Sequence, residues 1–187
     1  MTSSTFLDSK LLLAMPSMTD PRFERSVIYL CSHDESGAMG LVINQAFSGL
    51  TFESLLDQLE IEVEGDVPDI PVHAGGPVEP GRGFVLHSAD FVQESTLVVS
   101  ETLALSATVD ILQALAVGKG PRHHLMALGY AGWGAGQLEQ EIQANAWLTA
   151  EADEEIVFNT ELEQKWPRAM AMLGVNISML SSDAGHA

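Results

Sequence analysis

Two short apolar runs in the first quarter of the chain predict a pair of buried strands. Residues 27–31 read Val-Ile-Tyr-Leu-Cys and residues 40–43 read Gly-Leu-Val-Ile, without alternation of polar and apolar positions. Between them, residues 33–37 have the composition of a turn. Because continuous apolar runs bounded by turns are typical of fully buried strands, we expect the two runs to be neighbours at the centre of a sheet.

A helical period follows these strands. Four large apolar residues recur at spacings of three and four positions, which places them on one face of a helix. They are Phe52, Leu55, Leu56 and Leu59. Thr51 is a preferred N-cap residue, and Leu50 is placed to pack against Leu55 across the start of the helix. We therefore expect a surface helix over residues 51–59.

Three later segments also have helical patterns. Residues 107–117 follow Ser106, which is a second N-cap candidate, and residues 137–145 combine one apolar face with acidic and amide side chains elsewhere. Residues 161–173 are interrupted by Pro167, which lacks the backbone N–H that a helix interior needs. A kink or two short helices are expected there.

Short strands and an acidic loop complete the predicted elements. The strands are residues 72–74, 84–87, 96–100, 103–105 and 124–129. Residues 61–71 contain four acids, one glycine and two prolines, which predicts an exposed loop. Strands and helices mixed in this order predict an α/β fold, a mixed sheet with flanking helices, rather than a helical bundle or a β-sandwich.

Composition narrows the class of protein. Hydrophobic residues make up 46% of the 187 residues and charged residues 18%, which supplies a core and excludes intrinsic disorder. The length suits one domain, with residues 181–187 as a frayed tail. The formal net charge is −18, from 26 acids against 8 bases. Such an excess disfavours direct contact with nucleic acid or an anionic membrane.

The cysteine count and the terminal sequence indicate a compartment. Cys31 is the single cysteine, so no intramolecular disulfide can form. The apolar run at residues 11–15 is too short for the core of a signal peptide. The apolar stretch at residues 97–117 is broken by Glu101 and Asp110, which argues against a membrane span. We expect a soluble, cytoplasmic protein.

Two glycine-rich segments are the candidate ligand-binding loops. One carries Arg82, an isolated base that could hold a carboxylate or phosphate. The other, residues 129–136, lies between a predicted strand and a predicted helix, where phosphate loops occur. The candidate binding residues are Gly75, Gly76, Arg82, Gly132, Gly134 and Gly136. Residues 129–136 lack the spacing of a dinucleotide or P-loop motif, so a tight turn and close backbone packing are favoured there and a ligand is the alternative. For the other loop, hydrogen bonds from Arg82 to backbone carbonyls or to a neighbouring acid are favoured, and a ligand is again the alternative.

Histidine and cysteine supply no recognisable catalytic or metal motif. The six histidines lack the paired spacing of zinc sites, so bonding within the fold is favoured over ligation, even for His33 beside Asp34. Cys31 lies in an apolar strand, where a thiol is inert. The one indication that the thiol is activated is His33, which is two positions further along the strand and is therefore expected on the same face. No catalytic residue, metal or cofactor is predicted.

Several blocks of sequence in fixed order resemble the YqgE/AlgH family. The blocks are LLAMP at residues 12–16, DPRFERSV at 20–27, GAMGLVIN at 37–44, GGPV at 75–78, LGYAGW at 128–133, GQLEQE at 136–141 and NAWL at 145–148. Pro167 directly after Trp166 departs from the family pattern. The resemblance implies a bacterial cytoplasmic protein with a three-layer α/β core, a smaller α/β subdomain of unspecified boundary, and no established activity or cofactor.

The resemblance and the charge together set the functional expectation. Some family members carry a transcriptional-regulator label through a link to alginate synthesis. Because each phosphate contact needs Lys or Arg and the eight bases are scattered, we expect regulation through a protein partner rather than by DNA contact. The alternative is a small-molecule or anion-binding protein, or an enzyme, that uses Gly75, Gly76, Arg82 and residues 129–136.

Overall fold

A nine-stranded sheet forms the body of the protein in a computed structural model that describes residues 6–174. The predicted tail at residues 181–187 lies outside the described residues. The strands are β1 (Lys10–Ala14), β2 (Val27–Asp34), β3 (Gly37–Val42), β4 (Val72–Ala74), β5 (Val78–Ser88), β6 (Leu97–Val98), β7 (Leu103–Ser106), β8 (His124–Gly134) and β9 (Trp147–Glu151). The helices are α1 (Phe52–Gln58), α2 (Val109–Ala116), α3 (Gln137–Gln143) and α4 (Leu162–Met172), with a π-helix at Glu155–Asn159.

The strand order is β6-β7-β5-β8-β3-β2-β1-β9. Neighbours in this order are antiparallel, and β4 adds a parallel pairing with β8. The sheet curls into a half-barrel, and a few helices pack against it. The mixed α/β class is confirmed. The three-layer core and the smaller subdomain stay predictions from the family resemblance.

The continuous apolar runs are explained by burial on both faces of the sheet. Along β1, Leu11 and Leu13 pack in one core cluster with Tyr29 of β2. Leu12, which points to the other face, packs in a second cluster with Ile28. Because β2 also pairs antiparallel with β3, the two predicted runs are buried neighbours, as the sequence indicates.

The predicted helix after these strands is confirmed as α1, although it ends at Gln58 and Leu59 is 45% exposed rather than buried. The Thr51 side chain accepts a hydrogen bond from the backbone N–H of Ser54 at 3.1 Å, which is the N-cap contact expected from the sequence. The apolar face buries Phe52 and Leu55 in a third cluster shared with α2. Residues 61–71 are irregular, as predicted, but Ile61 and Ile70 are buried in that same cluster, so the segment is not wholly exposed.

Two details of the helices correct the sequence analysis. Ser106 does not cap α2, because it ends β7 and its hydroxyl lies 2.8 Å from Nε2 of His87; the N-cap position belongs to Thr108. Pro167 lies inside α4, which is one helix over 11 residues, so of the two predicted outcomes, a kink or two short helices, the second is wrong. Within the described chain, none of the helices combines the length and apolar character that a membrane crossing requires.

Candidate functional site

One irregularity in β5 presents Arg82. Val78 pairs with β8, and regular pairing with that strand resumes only at Gly83. The residues between are out of register, as in a β-bulge, and Glu79 has a φ of +46°. The bulge places Arg82 at a pocket that we call the Arg82 pocket.

The Arg82 pocket has a volume of about 560 Å³, which is within the range of small-molecule sites. Its walls are mainly aromatic and aliphatic, from Met39, Phe84, Leu97, Leu105, Tyr130 and Trp133. The rings of Phe84 and Tyr130 meet edge to face at 5.7 Å. Arg82 is the one base and Glu79 the one acid among the described lining residues.

Arg82 is held by two weak contacts. Its guanidinium lies 3.5 Å from the Glu79 carboxylate and 5.0 Å from the centroid of the Phe84 ring. Both members of the ion pair are about half exposed, so the pair contributes little to stability. The guanidinium can therefore exchange Glu79 for an external anion at small cost, while the cation–π contact keeps it at the pocket.

A carboxylate outside the pocket fixes one of its walls. Oε1 of Glu141 accepts hydrogen bonds from the indole Nε1 of Trp133 at 3.1 Å and of Trp147 at 2.9 Å, and Oε2 accepts one from Gln137. A second cavity of about 410 Å³ lies beside this cluster and shares Gly132 and Trp133 with the Arg82 pocket. This role of Glu141 was not predicted from the sequence.

Comparison with known proteins places the chain in a family. A model of the AlgH-like family, DUF179, matches residues 11–178. The chain belongs to the AlgH-like family. UPF0301 proteins from Methylobacterium nodulans and Cereibacter sphaeroides are 52% and 54% identical to it. The matches cover 99% and 97% of this chain and 92% and 99% of the relatives.

Two solved structures are similar to this AlgH-like chain. The solution structure of AlgH from Pseudomonas aeruginosa is 48% identical, with a TM-score of 0.81, and the match covers 100% of this chain and 99% of AlgH. The crystal structure of DIP2367 from Corynebacterium diphtheriae is 20% identical, with a TM-score of 0.73 and coverages of 97% and 94%. At that identity it shows a likeness of fold alone. The family resemblance stated from the sequence blocks is confirmed.

The AlgH-like fold brings two of the six candidate binding residues, Arg82 and Gly132, to the Arg82 pocket. Gly75 and Gly76 pack instead against the backbone of β8. A Cβ on Gly76, whose φ is +154°, would lie 2.1 Å from the carbonyl carbon of Tyr130, and one on Gly75 would lie 2.4 Å from a backbone oxygen. These two glycines allow a close backbone approach that other residues would prevent.

The other two candidate glycines belong to the connection between β8 and α3. β8 continues to Gly134, so the prediction of a loop over residues 129–134 is wrong. The N–H of Gly134 donates to the Gln137 side chain at 2.9 Å, and Gly136 adopts a φ of +72° directly before α3. Both positions lie outside the lining of the Arg82 pocket.

Cys31 is a buried, inert thiol. It is 3% exposed, and burial raises the pKa of its thiol to about 12. A β-bulge between Leu30 and Ser32 reverses the side-chain alternation. His33 therefore points to the opposite face, where its Nε2 lies 3.0 Å from the Glu139 carboxylate. The suggested activation of Cys31 by His33 is wrong for this reason.

Two of the histidines in the sheet, His73 and His87, bond to backbone carbonyl groups within the fold, as expected from the sequence. Nδ1 of His73 lies 2.9 Å from the carbonyl oxygen of Met126, and Nδ1 of His87 lies 2.8 Å from that of Ser88. Across residues 6–174, no three His, Cys, Asp or Glu side chains are arranged to hold a metal ion.

Proposed function

We propose that this AlgH-like protein acts by non-covalent binding of a small molecule in the Arg82 pocket. The ligand class is a flat apolar or aromatic molecule that carries one anionic group. One observation carries the proposal: in a chain with a formal charge of −18, a base and three aromatic rings converge on one pocket of about 560 Å³.

The chemistry of the pocket supports this ligand class. Phe84, Tyr130 and Trp133 offer ring faces and edges to an aromatic body. The planar guanidinium of Arg82 matches the geometry of a carboxylate or phosphate, which would replace its contact with Glu79. Because Glu79 remains nearby, a single anionic group is preferred over several.

Binding is better supported than catalysis. The titratable side chains among the described lining residues are Glu79, Arg82 and Tyr130. None of these pairs a nucleophile with a base, which acyl transfer or hydrolysis through a covalent intermediate would need. Arg82 and Glu79 are also half exposed, so the pocket does not exclude water from a reacting group.

The ligand class is tested by thermal-shift screening of anionic and neutral aromatic metabolites. A ligand present at 100 times its dissociation constant stabilises the fold by about 2.7 kcal/mol. Anionic aromatic compounds should stabilise the wild type and Lys119→Met, which removes an exposed base elsewhere, but not Arg82→Met. Ligands that stabilise Arg82→Met equally, or a response confined to neutral compounds, would contradict the proposal.

A regulatory role through a protein partner is a second proposal, with the cytoplasm as its place of action. It is favoured by β6, an edge strand beside the pocket whose Leu97 and Val98 are 46% and 52% exposed. A free edge with apolar side chains suits the addition of a strand from a partner. A partner captured by the wild type should be lost with Val98→Glu and kept with Val117→Glu, a matched change at a similarly exposed valine.

A further inference from the structure

A separate cavity of about 440 Å³ gathers three basic side chains. Lys165 of α4, His73 of β4 and His124 of β8 line it, and none of its described lining residues belongs to the Arg82 pocket. Lys165 is 2% exposed and His73 is 8% exposed, so both are interior groups. We call this space the Lys165 cavity.

Lys165 is a buried cation without an acidic partner. Its Nζ donates to the carbonyl oxygens of Ile43 at 2.7 Å and Val157 at 2.8 Å. Among the described residues, no carboxylate oxygen lies within the 4.0 Å of an ion pair with this amine. A protonated amine has three N–H donors, so one donor remains after these two bonds. Burial lowers the pKa of Lys165 to about 8, as expected for a charge removed from water without an opposite charge beside it.

The two imidazoles have unused nitrogens as well. Nδ1 of His73 donates to Met126, which leaves its Nε2 as the second ring nitrogen. Nδ1 of His124 is buried and has no hydrogen-bond partner within residues 6–174. Burial lowers the pKa of both histidines. An acceptor-rich group in the cavity would accept a hydrogen bond from the remaining N–H of Lys165. It would also favour protonation of the two imidazoles, which would then donate hydrogen bonds to it.

We propose that the Lys165 cavity binds a small oxyanion, a carboxylate or a phosphate group, with Lys165 as its counter-ion and His73 and His124 as further hydrogen-bond donors. The other charged groups that line the cavity are Glu161 and Glu163, which are exposed. Their negative charge at the opening favours a ligand of low charge. This site is independent of the function proposed for the Arg82 pocket.

The test uses the full chain labelled with ¹³C at the lysine ε-carbons. The sequence contains three lysines, so Lys10 and Lys119 serve as exposed or half-exposed internal references. The Lys165 resonance is titrated with pH in sodium phosphate, sodium acetate and sodium chloride of equal ionic strength. Phosphate or acetate should raise the Lys165 pKa by about one unit, which corresponds to about tenfold tighter binding to the protonated amine.

Variants separate the site from general salt effects. His124→Gln, which removes the Nδ1 group, should reduce the anion-induced shift of Lys165, whereas Arg82→Met should leave it unchanged. Lys165→Met should abolish stabilisation of the fold by the anion. If Lys165→Met does not fold, the titration of His124→Gln still tests the site. A change in the Lys165 pKa supports the site and identifies the class of anion. A change in phosphate alone indicates a phosphate group, and a change in acetate as well indicates that a carboxylate also binds. A Lys165 titration that is the same in all three salts would overturn the proposal.

Discussion

At the scale of single residues, Glu141 is the side chain whose loss should cost most stability near the Arg82 pocket. Its Oε1 accepts both indole N–H groups of Trp133 and Trp147. Because each buried donor left without an acceptor costs about 1–3 kcal/mol, Glu141→Leu should lower the free energy of unfolding by about 2–6 kcal/mol in urea titrations. Gln143→Leu, an exposed change on the same helix, is the control. A loss no larger than that of the control would refute this role.

Lys165 should make stability depend on alkaline pH. Its pKa is about 8 in the folded protein and higher in the unfolded chain, so the unfolded state binds more protons between the two values. Stability therefore rises with pH across this window, by about 1 kcal/mol between pH 8 and pH 9.

Comparison of the wild type with Lys165→Met isolates this effect in chemical denaturation. Burial raises the pKa values of Tyr29 and Cys31, which lowers stability at alkaline pH, but both proteins share that contribution. The difference in unfolding free energy should move in favour of the wild type as the pH rises. A constant difference would show that Lys165 has an ordinary pKa in the fold.

The burial of Lys165 was predictable from the sequence. The opposite side-chain directions of Cys31 and His33 were not. The helical period that places Trp166, Ala169 and Met170 in the core also places Lys165 there, so its burial could have been predicted. The relation between Cys31 and His33 depends on a β-bulge, and a bulge is set by pairing with another strand rather than by the local residue pattern.

At the scale of elements, the approach of the loop after β4 to β8 depends on Gly76. A Cβ there would lie 2.1 Å from the Tyr130 backbone at a φ of +154°. Gly76→Ala should therefore destabilise the fold by more than about 3 kcal/mol or prevent folding, as strain and overpacking combine. Gly81→Ala, where the added Cβ meets nothing within 4 Å, should change stability little. Equal melting temperatures for the two variants would contradict this reading.

Elements whose own residues carry a regular pattern were predictable, and contacts defined by distant pairing were not. The continuous apolar run at residues 27–31 and the helical period of α1 are signals that the local sequence carries. In contrast, β1 and β9 are joined by pairs such as Lys10 with Glu151, and no local pattern records that contact. The full length of β8 was not predicted either, because a run of glycines is typical of a loop. In this strand the glycines are needed for close packing against neighbouring backbone. Arg82 was predictable as a candidate, but its pocket depends on strands that are distant in sequence.

At the scale of the whole molecule, five of the eight bases are already engaged within the fold. Lys165 is buried, and four other bases contact acids or aromatic rings. Those four are Lys10, Arg22, Arg25 and Arg82. With a net charge of −18, the protein should show no salt-sensitive submicromolar binding to duplex DNA by fluorescence anisotropy at about 0.15 M salt. Such binding by the isolated protein would contradict the expectation of indirect action.

Ligand binding in the Arg82 pocket is tested most directly by backbone-amide NMR. The ¹⁵N-labelled protein is titrated with the anionic aromatic compound that stabilises it most in the thermal-shift screen. Saturable shifts should cluster at the β5 bulge around Arg82 and along β8 at Tyr130 and Gly132, and Arg82→Met should weaken them. Shifts that cluster elsewhere, or that persist unchanged in Arg82→Met, would contradict the binding function.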